Sequence, residues 1–249
     1  MTVAEKKPRV IEPDSLIGKR IPKMDAPEKA SGRTRYIHDI NLSGQLHGKI
    51  LRSGRIHALI KSIDTSAAKA LPGVHVVITA ADIPDQRPIG VAKDHFPLKV
   101  GRVRSQRDEI AAVAAESEEI AEAALKLIKV EYEDLPVISD PEDAIKPDAI
   151  LIHPEPHGAD GTHLHLKQGT SIAHKGKPDN IAMRFDYAHG DVVQGETESD
   201  VVVEDTFKLH YVTHCCMGVS GMIAEFDAAG NVLMYSNTQV PFLHKREFA

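Results

Sequence analysis

The chain has 249 residues, a formal net charge of −6 and a sequence pI near 6.2; 42% of its residues are hydrophobic, only 4% are aromatic and tryptophan is absent. That apolar share supports a real core, and the length fits one large or two smaller domains. The acidic balance and the few aromatic rings exclude a nucleic-acid surface. No apolar run approaches the ~20 residues of a membrane helix, and polar Met1–Val10 offers no secretory core, so the cytoplasm is the expected location.

Residues 1–16 carry Lys6, Lys7, Pro8 and Pro13 and no apolar period, which predicts a flexible lead-in. Leu46, Gly48 and Ile50 alternate within Gln45–Arg52, and a second strand is predicted at Leu59–Ile63. Asp64 or Thr65 can cap a short alanine helix that Pro72-Gly73 ends. Val74–Thr79 is a β-branched run and predicts a strand, and Thr79 can cap a turn through Ala80, Ala81 and Asp82. Glu109–Ala115 is a short apolar run that predicts a buried strand. Ser117–Lys129 places Ile120, Ala121, Ala124, Leu125 and Ile128 on one helical face, with Glu122 and Lys126 spaced as an i,i+4 pair on the other. Val130–Glu133 returns as a strand, ended by Leu135-Pro136. A strand–helix–strand unit needs a sheet beneath it, so one mixed α/β domain is expected up to about residue 138.

Residues 139–180, punctuated by Pro141, Pro147, Pro154, Pro156 and Pro178, form a connector. From residue 181 the texture becomes β-rich. Val201–Tyr211 is one long strand candidate, and Met222–Asp227 and Val232–Ser236 flank Ala228-Ala229-Gly230-Asn231 as a hairpin.

The chemistry-bearing residues are few. Cys215 and Cys216 are the only cysteines and are adjacent, a spacing that disfavours a disulfide and excludes a four-thiolate cluster from this chain alone. In His214-Cys215-Cys216-Met217, strand alternation would send Cys215 and Met217 to one face and His214 and Cys216 to the other. The tetrapeptide then either packs in a core or lines a pocket, and all four side chains are pocket candidates. His153, His157, His163 and His165 have spacings that could chelate a metal from a helix or strand, yet no acidic or thiol set completes them, so solvated loop histidines are the simpler reading. No GxGxxG, P-loop, GxSxG or HExxH motif occurs.

An ordered series of short runs resembles one family. Ile17-Gly18-Lys19-Arg20-Ile21-Pro22, Glu28 through Ile40 (EKASGRTRYIHDI), Gly48-Lys49-Ile50-Leu51-Arg52-Ser53, Ser62 through Ala68, Leu71-Pro72-Gly73-Val74 and Glu131 through Pro136 follow one another as in the large subunits of molybdenum hydroxylases. The chain is identified as resembling the xanthine dehydrogenase and aldehyde oxidase type, with 4-hydroxybenzoyl-CoA reductase-like subunits nearest in texture. Pro178-Asp179-Asn180-Ile181, Gly190-Asp191-Val192, Asp200 through Glu204 and Asn237-Thr238-Gln239-Val240-Pro241 continue the resemblance into the entry of a molybdopterin-binding domain.

The resemblance implies an α+β chain: an α/β hammerhead domain over residues 17–138, a connector over 139–180, and the incomplete β-rich start of a molybdopterin-binding domain over 181–249. It implies a molybdopterin-type molybdenum cofactor held mainly by residues beyond Ala249, with Gln239 as a cofactor contact, and no catalytic residue is assigned to this chain. It also implies partners: the remainder of the large subunit, a [2Fe-2S] subunit and an FAD subunit, in a dimer of heterotrimers. Three departures stand out. Arg104 through Ile110 (RSQRDEI) replaces a Tyr-x-Gly-Asp-Pro-Val-like run. Met217-Gly218-Val219 replaces a Met/Leu-Glu-Pro/Thr run. Val212 falls where some relatives place a glutamine near molybdenum. The expected function is the N-terminal part of the catalytic subunit of a molybdenum-dependent oxidoreductase. The alternatives are a non-catalytic structural or assembly subunit of a split molybdenum enzyme, and a free-standing ligand-binding module.

Overall fold

In a computed structural model of the chain, residues 16–90, 94–154, 170–171, 179–181, 184–185, 189–216 and 218–248 are described. They divide into two units, one spanning residues 44–212 and one in which residues 16–43 join residues 213–246. In the second unit, α1 (Ala26–Ala30) and a 3-10 turn at Ile37–Asp39 precede Gly44. That turn is closed by the Asp39 carboxylate, which accepts from Tyr36 N at 2.8 Å.

The unit of residues 44–212 begins with β1 (His47–Arg52), β2 (Ala58–Asp64), α2 (Ser66–Lys69), β3 (Val74–Thr79) and a 3-10 turn at Ala80–Asp82. It continues with β4 (Arg102–Val103), β5 (Glu109–Ala115), α3 (Glu118–Leu127) and β6 (Lys129–Asp134). Then follow α4 (Pro141–Ala144), the short β7 (Thr170–Ser171) and β8 (Arg184–Phe185), and α5 (Val192–Glu198). Two antiparallel sheets carry the unit: β5 lies between β1 and β3, and β2 lies between β4 and β6.

Local chemistry explains these elements. The Asp64 carboxylate accepts from Ser66 N at 2.9 Å and opens α2. The Asp82 carboxylate accepts from Thr79 N and Thr79 Oγ1 and closes the 3-10 turn. Ser117 caps α3 by accepting from Ile120 N at 3.3 Å. Gly73 has φ +83°, and a Cβ there would stand 2.8 Å from Ile120 Cδ1. Only glycine serves both the left-handed turn and the close approach of α3.

The core sits between α3 and one face of the β1–β5–β3 sheet: Ala68, Val77, Ala111, Val113, Ala115, Ala121, Ala124 and Ile128 form one buried cluster. Ala58, Val103 and Ile110 form another, joined through Leu51, Ile63 and Val130. Alanines facing alanines let α3 lie close to β5. Glu122, spaced for Lys126, instead faces Lys49 at 3.1 Å, so the α3 surface is tied to β1 rather than to its own next turn.

In the connector, Asn180 acts as a clip. Its amide donates to the carbonyls of Ala144 and Ile150 and accepts from Ile152 N, all within 2.9 Å. The residues beyond correct one expectation. Val201–Tyr211 alternates as a strand but forms none. Val201, Val203, Phe207, Leu209 and Tyr211 are at least three-quarters exposed, because no strand among the described residues offers a ladder to its backbone. α5 occupies a stretch read as β, capped by Asp191, whose carboxylate accepts from Gln194 N at 3.0 Å.

The second unit closes with the expected hairpin of β9 (Met222–Phe226) and β10 (Val232–Ser236), followed by α6 (Pro241–Phe248). Gly230 takes φ +83° in the turn. The Asp227 carboxylate organises it, accepting from Ala229 N, Asn231 N and Asn231 Nδ2. No helix among the described residues is long and apolar enough to cross a membrane.

Candidate functional site

His214, Cys215 and Cys216 lie in the second unit, in a stretch without helix or strand, and all three are exposed. Cys215 has φ +46°, in the left-handed region, and its N–H points to Thr213 Oγ1 at 3.4 Å. The alternation expected to separate the two thiols is therefore absent: a residue at positive φ breaks the extended repeat, and both thiols reach solvent. Met217 lies outside the described residues.

The same stretch is tied to the end of the hairpin. Asn237 donates from Nδ2 to Val219 O at 3.0 Å and accepts from Gly221 N at 3.1 Å. These two bonds fix residues 219–221, just beyond the Cys215–Cys216 pair, to the end of β10. Gly221 also packs on Ile37, whose Cγ2 lies 3.1 Å from where a Cβ would stand. Gln239 follows Asn237 by two residues, exposed, and Thr238 Oγ1 accepts from Val240 N at 3.1 Å to turn the chain into α6. So the structure brings the downstream flank of the His-Cys-Cys stretch and the Asn-Thr-Gln-Val-Pro run to one edge. Asn237, which holds them, stood out in the sequence only as part of that run.

Of the connector histidines only His153 is described. Its Nε2 lies 3.7 Å from Asp94 Oδ2, and no cluster of three or more metal-ligating side chains occurs among the described residues. His157, His163 and His165 lie outside them.

A second feature, in the unit of residues 44–212, has no counterpart among the sequence motifs. An open cavity of about 1700 Å³ is bordered by Ile60, Thr79, Gln86, Lys99, Asp108 and His153, among others. On its wall sits a buried charge cluster. Lys99 is 6% exposed, and its Nζ donates to Phe96 O at 2.8 Å and Glu109 Oε2 at 3.3 Å. The same Nζ lies 2.9 Å from His95 Nε2. Asp108, 5% exposed, accepts from Arg104 N at 2.6 Å and Ser105 N at 3.2 Å. Arg52 bridges the Glu109 carboxylate and the Arg107 carbonyl. Burial raises the Glu109 pKa, but its own backbone hydrogen bond, Arg52 and Lys99 outweigh this and hold it below the usual 4.5. Asp108 and Glu109 of the cluster fall within the Arg104–Ile110 run. Its sequence signal was a lysine between apolar Leu98 and Val100, and acids at the mouth of an apolar strand.

Comparison with known proteins identifies the class. Residues 31–136 match the model of the aldehyde oxidase and xanthine dehydrogenase a/b hammerhead domain, and residues 173–249 match the molybdopterin cofactor-binding domain. The chain belongs to the family of xanthine dehydrogenase and aldehyde oxidase large subunits, and it corresponds to their hammerhead domain and the start of their molybdopterin-binding domain. It is 38% identical to a probable xanthine dehydrogenase component of Bacillus subtilis (strain 168), over 86% of this chain and 26% of that protein. It is 30% identical to the nicotinate dehydrogenase large molybdopterin subunit of Eubacterium barkeri, over 94% of this chain and 50% of that one. The fold superposes on the Cu,Mo-CO dehydrogenase in its carbon monoxide reduced state with a TM-score of 0.74 and 31% identity, covering 92% of this chain and 28% of the other. The chain thus spans between about a quarter and a half of the length of these relatives.

Proposed function

We propose that this chain supplies the hammerhead scaffold and one wall of the cofactor site in a molybdenum-dependent oxidoreductase acting on an aromatic, heterocyclic or carbonyl substrate. The observation that carries the reading is the edge at which Asn237 holds Val219 and Gly221, beside the His214–Cys216 stretch and Gln239 in the chain and inside the region that matches a molybdopterin cofactor-binding domain. The described side chains fit a contributing wall: the Gln239 amide, the His214 imidazole and the thiols of Cys215 and Cys216 are polar and exposed there. They do not enclose a ligand by themselves, so the group is held mainly by the polypeptide that completes the subunit. When bound, the molybdenum–pterin group supplies a metal that is both Lewis acid and redox centre. Gln239 is suited to hydrogen-bond the pterin and His214 to orient a polar substrate group. In this reading a [2Fe-2S] subunit and an FAD subunit would accept the electrons, in a cytoplasmic dimer of heterotrimers.

The test is metal analysis of the chain purified alone and after co-expression with the completing polypeptide. Molybdenum should accompany the assembled subunit only. Stoichiometric molybdenum on the 249-residue chain alone would refute the division of the site.

A second reading is favoured by one comparison. The chain covers half of the nicotinate dehydrogenase large molybdopterin subunit but about a quarter of the Bacillus protein, so molybdopterin-binding chains of this family occur in more than one length. This chain could then be a structural or assembly subunit of a split enzyme. A stop codon directly after Ala249 with an adjacent completing reading frame would select it; an uninterrupted frame would discard it.

A further inference from the structure

The face of the β1–β5–β3 sheet opposite α3 carries no charge across two full rows. The register places Gly48, Ala114 and Val76 in one row and Ile50, Ala112 and Ile78 in the next. Ile50 is 45% and Val76 46% exposed, and α3 and its buried cluster occupy the other face. The middle strand contributes only alanines and the flanking strands contribute branched side chains. The face is therefore a shallow trough, with Ala112 and Ala114 as its floor and Ile50, Val76 and Ile78 as its walls. Side chains on one face of neighbouring strands meet directly, so this shape follows from the register.

We propose that this trough is the seat of an apolar helix from the polypeptide that completes the molybdopterin-binding subunit. The proposal rests on the functional reading above. Three observations choose the occupant. Charge is absent, as at the core of permanent interfaces, whereas transient surfaces keep a polar character. The face is concave, and two alanine floors stacked on each other leave a gap, so a second copy of this chain fits it badly; a convex ridge of side chains from one helix fills it. The relatives' chains are up to about four times as long, and their additional length is the partner present in every copy of the assembled subunit.

The experiment introduces Ala114→Cys and labels it with a maleimide, in the 249-residue chain alone and in the assembled, molybdenum-loaded enzyme. Mass analysis of the tryptic peptide Asp108–Lys126 separates this thiol from Cys215 and Cys216. Labelling in the lone chain and its loss in the assembly is the expected result. A companion variant, Ala114→Glu, should keep the far-ultraviolet circular dichroism of the lone chain and lose co-purification with the completing polypeptide. Equal labelling in both states of a molybdenum-containing assembly overturns the docking site and leaves the functional reading standing. Protection in the lone chain that grows with its concentration assigns the trough to a second copy and overturns the proposed occupant. An assembly without molybdenum overturns the functional reading, and the proposed occupant with it.

Discussion

Replacing Lys99 by methionine probes the buried charge cluster directly. The substitution keeps an unbranched side chain of similar reach and removes only the ammonium. Lys99 and Asp108 each expose only 7% of their side chains and Glu109 exposes 21%. With the cation gone, the Asp108 carboxylate keeps two backbone N–H donors and Glu109 keeps Arg52. Two acidic side chains on consecutive residues then stand without their shared counter-charge. Breaking a buried pair by removing one partner costs about 3–5 kcal/mol. Because Glu109 retains Arg52, the lower end applies, about 3 kcal/mol. Urea unfolding of the chain, followed by circular dichroism, should show the midpoint fall with an unchanged slope. The pH dependence has a definite sign. The Glu109 pKa is held below its usual 4.5, so the carboxylate contributes stability that is present above that value and is lost as pH falls through the depressed one. Part of that depression comes from Lys99, so the gap between parent and Lys99→Met should narrow below pH 4.5. Adding Glu109→Gln to Lys99→Met should recover part of the loss. A midpoint for Lys99→Met that matches the parent within about 0.5 kcal/mol, the usual span of surface changes, would show that the cluster is solvated and refute the reasoning.

Gly73→Ala should destabilise the unit of residues 44–212 by roughly 1–3 kcal/mol, combining a left-handed backbone with a Cβ 2.8 Å from Ile120 Cδ1; thermal melting reads it, and an unchanged midpoint would mean that α3 shifts freely. In the chain alone, Cys215 and Cys216 should both be alkylated without denaturant, since both are exposed and no strand separates them; one thiol reacting only after unfolding would restore the alternating strand. Asp227→Ala should fray the β9–β10 hairpin, since three donors lose their acceptor at once, and loss of amide protection confined to Met222–Ser236 is the signature; full protection would assign the turn to Gly230 alone.

The sequence disclosed those elements whose apolar period closes within themselves. β1, β2, β3, β5, β6 and α3 each carry their core face in a short window, and Ser117, Asp64 and Thr79 mark boundaries through local hydrogen bonds. Val201–Tyr211 shows the limit of that logic, because alternation specifies which face a strand would bury but cannot supply the neighbour it needs. At α5, the β-rich texture expected from residue 181 onward gives way to a helix that Asp191 caps. The candidate edge was legible as motifs, His214 through Cys216 and Asn237 through Pro241. The tie from Asn237 to Val219 and Gly221 was not, because sixteen or more residues separate the bonded groups. The Lys99 cluster was hidden for the same reason: Arg52 and Glu109 are 57 positions apart, and only the β1–β5 register makes them neighbours.

The unit that gathers residues 16–43 with residues 213–246 is built from two ends of the stretch that encloses residues 44–212. Synthesis runs in one direction, so the leading segment leaves the ribosome long before its partner exists. Residues 44–212 can collapse on their own contacts in the interval. Meanwhile Ile17, Ile21, Met24 and Tyr36, each more than half exposed in the structure, wait with Ile37 for Gly221 and the hairpin behind it. The edge at Val219, Gly221 and Asn237 therefore forms after the unit of residues 44–212 can fold, and a nascent chain stalled anywhere before residue 213 would carry that unit formed and residues 16–43 unclaimed and sticky.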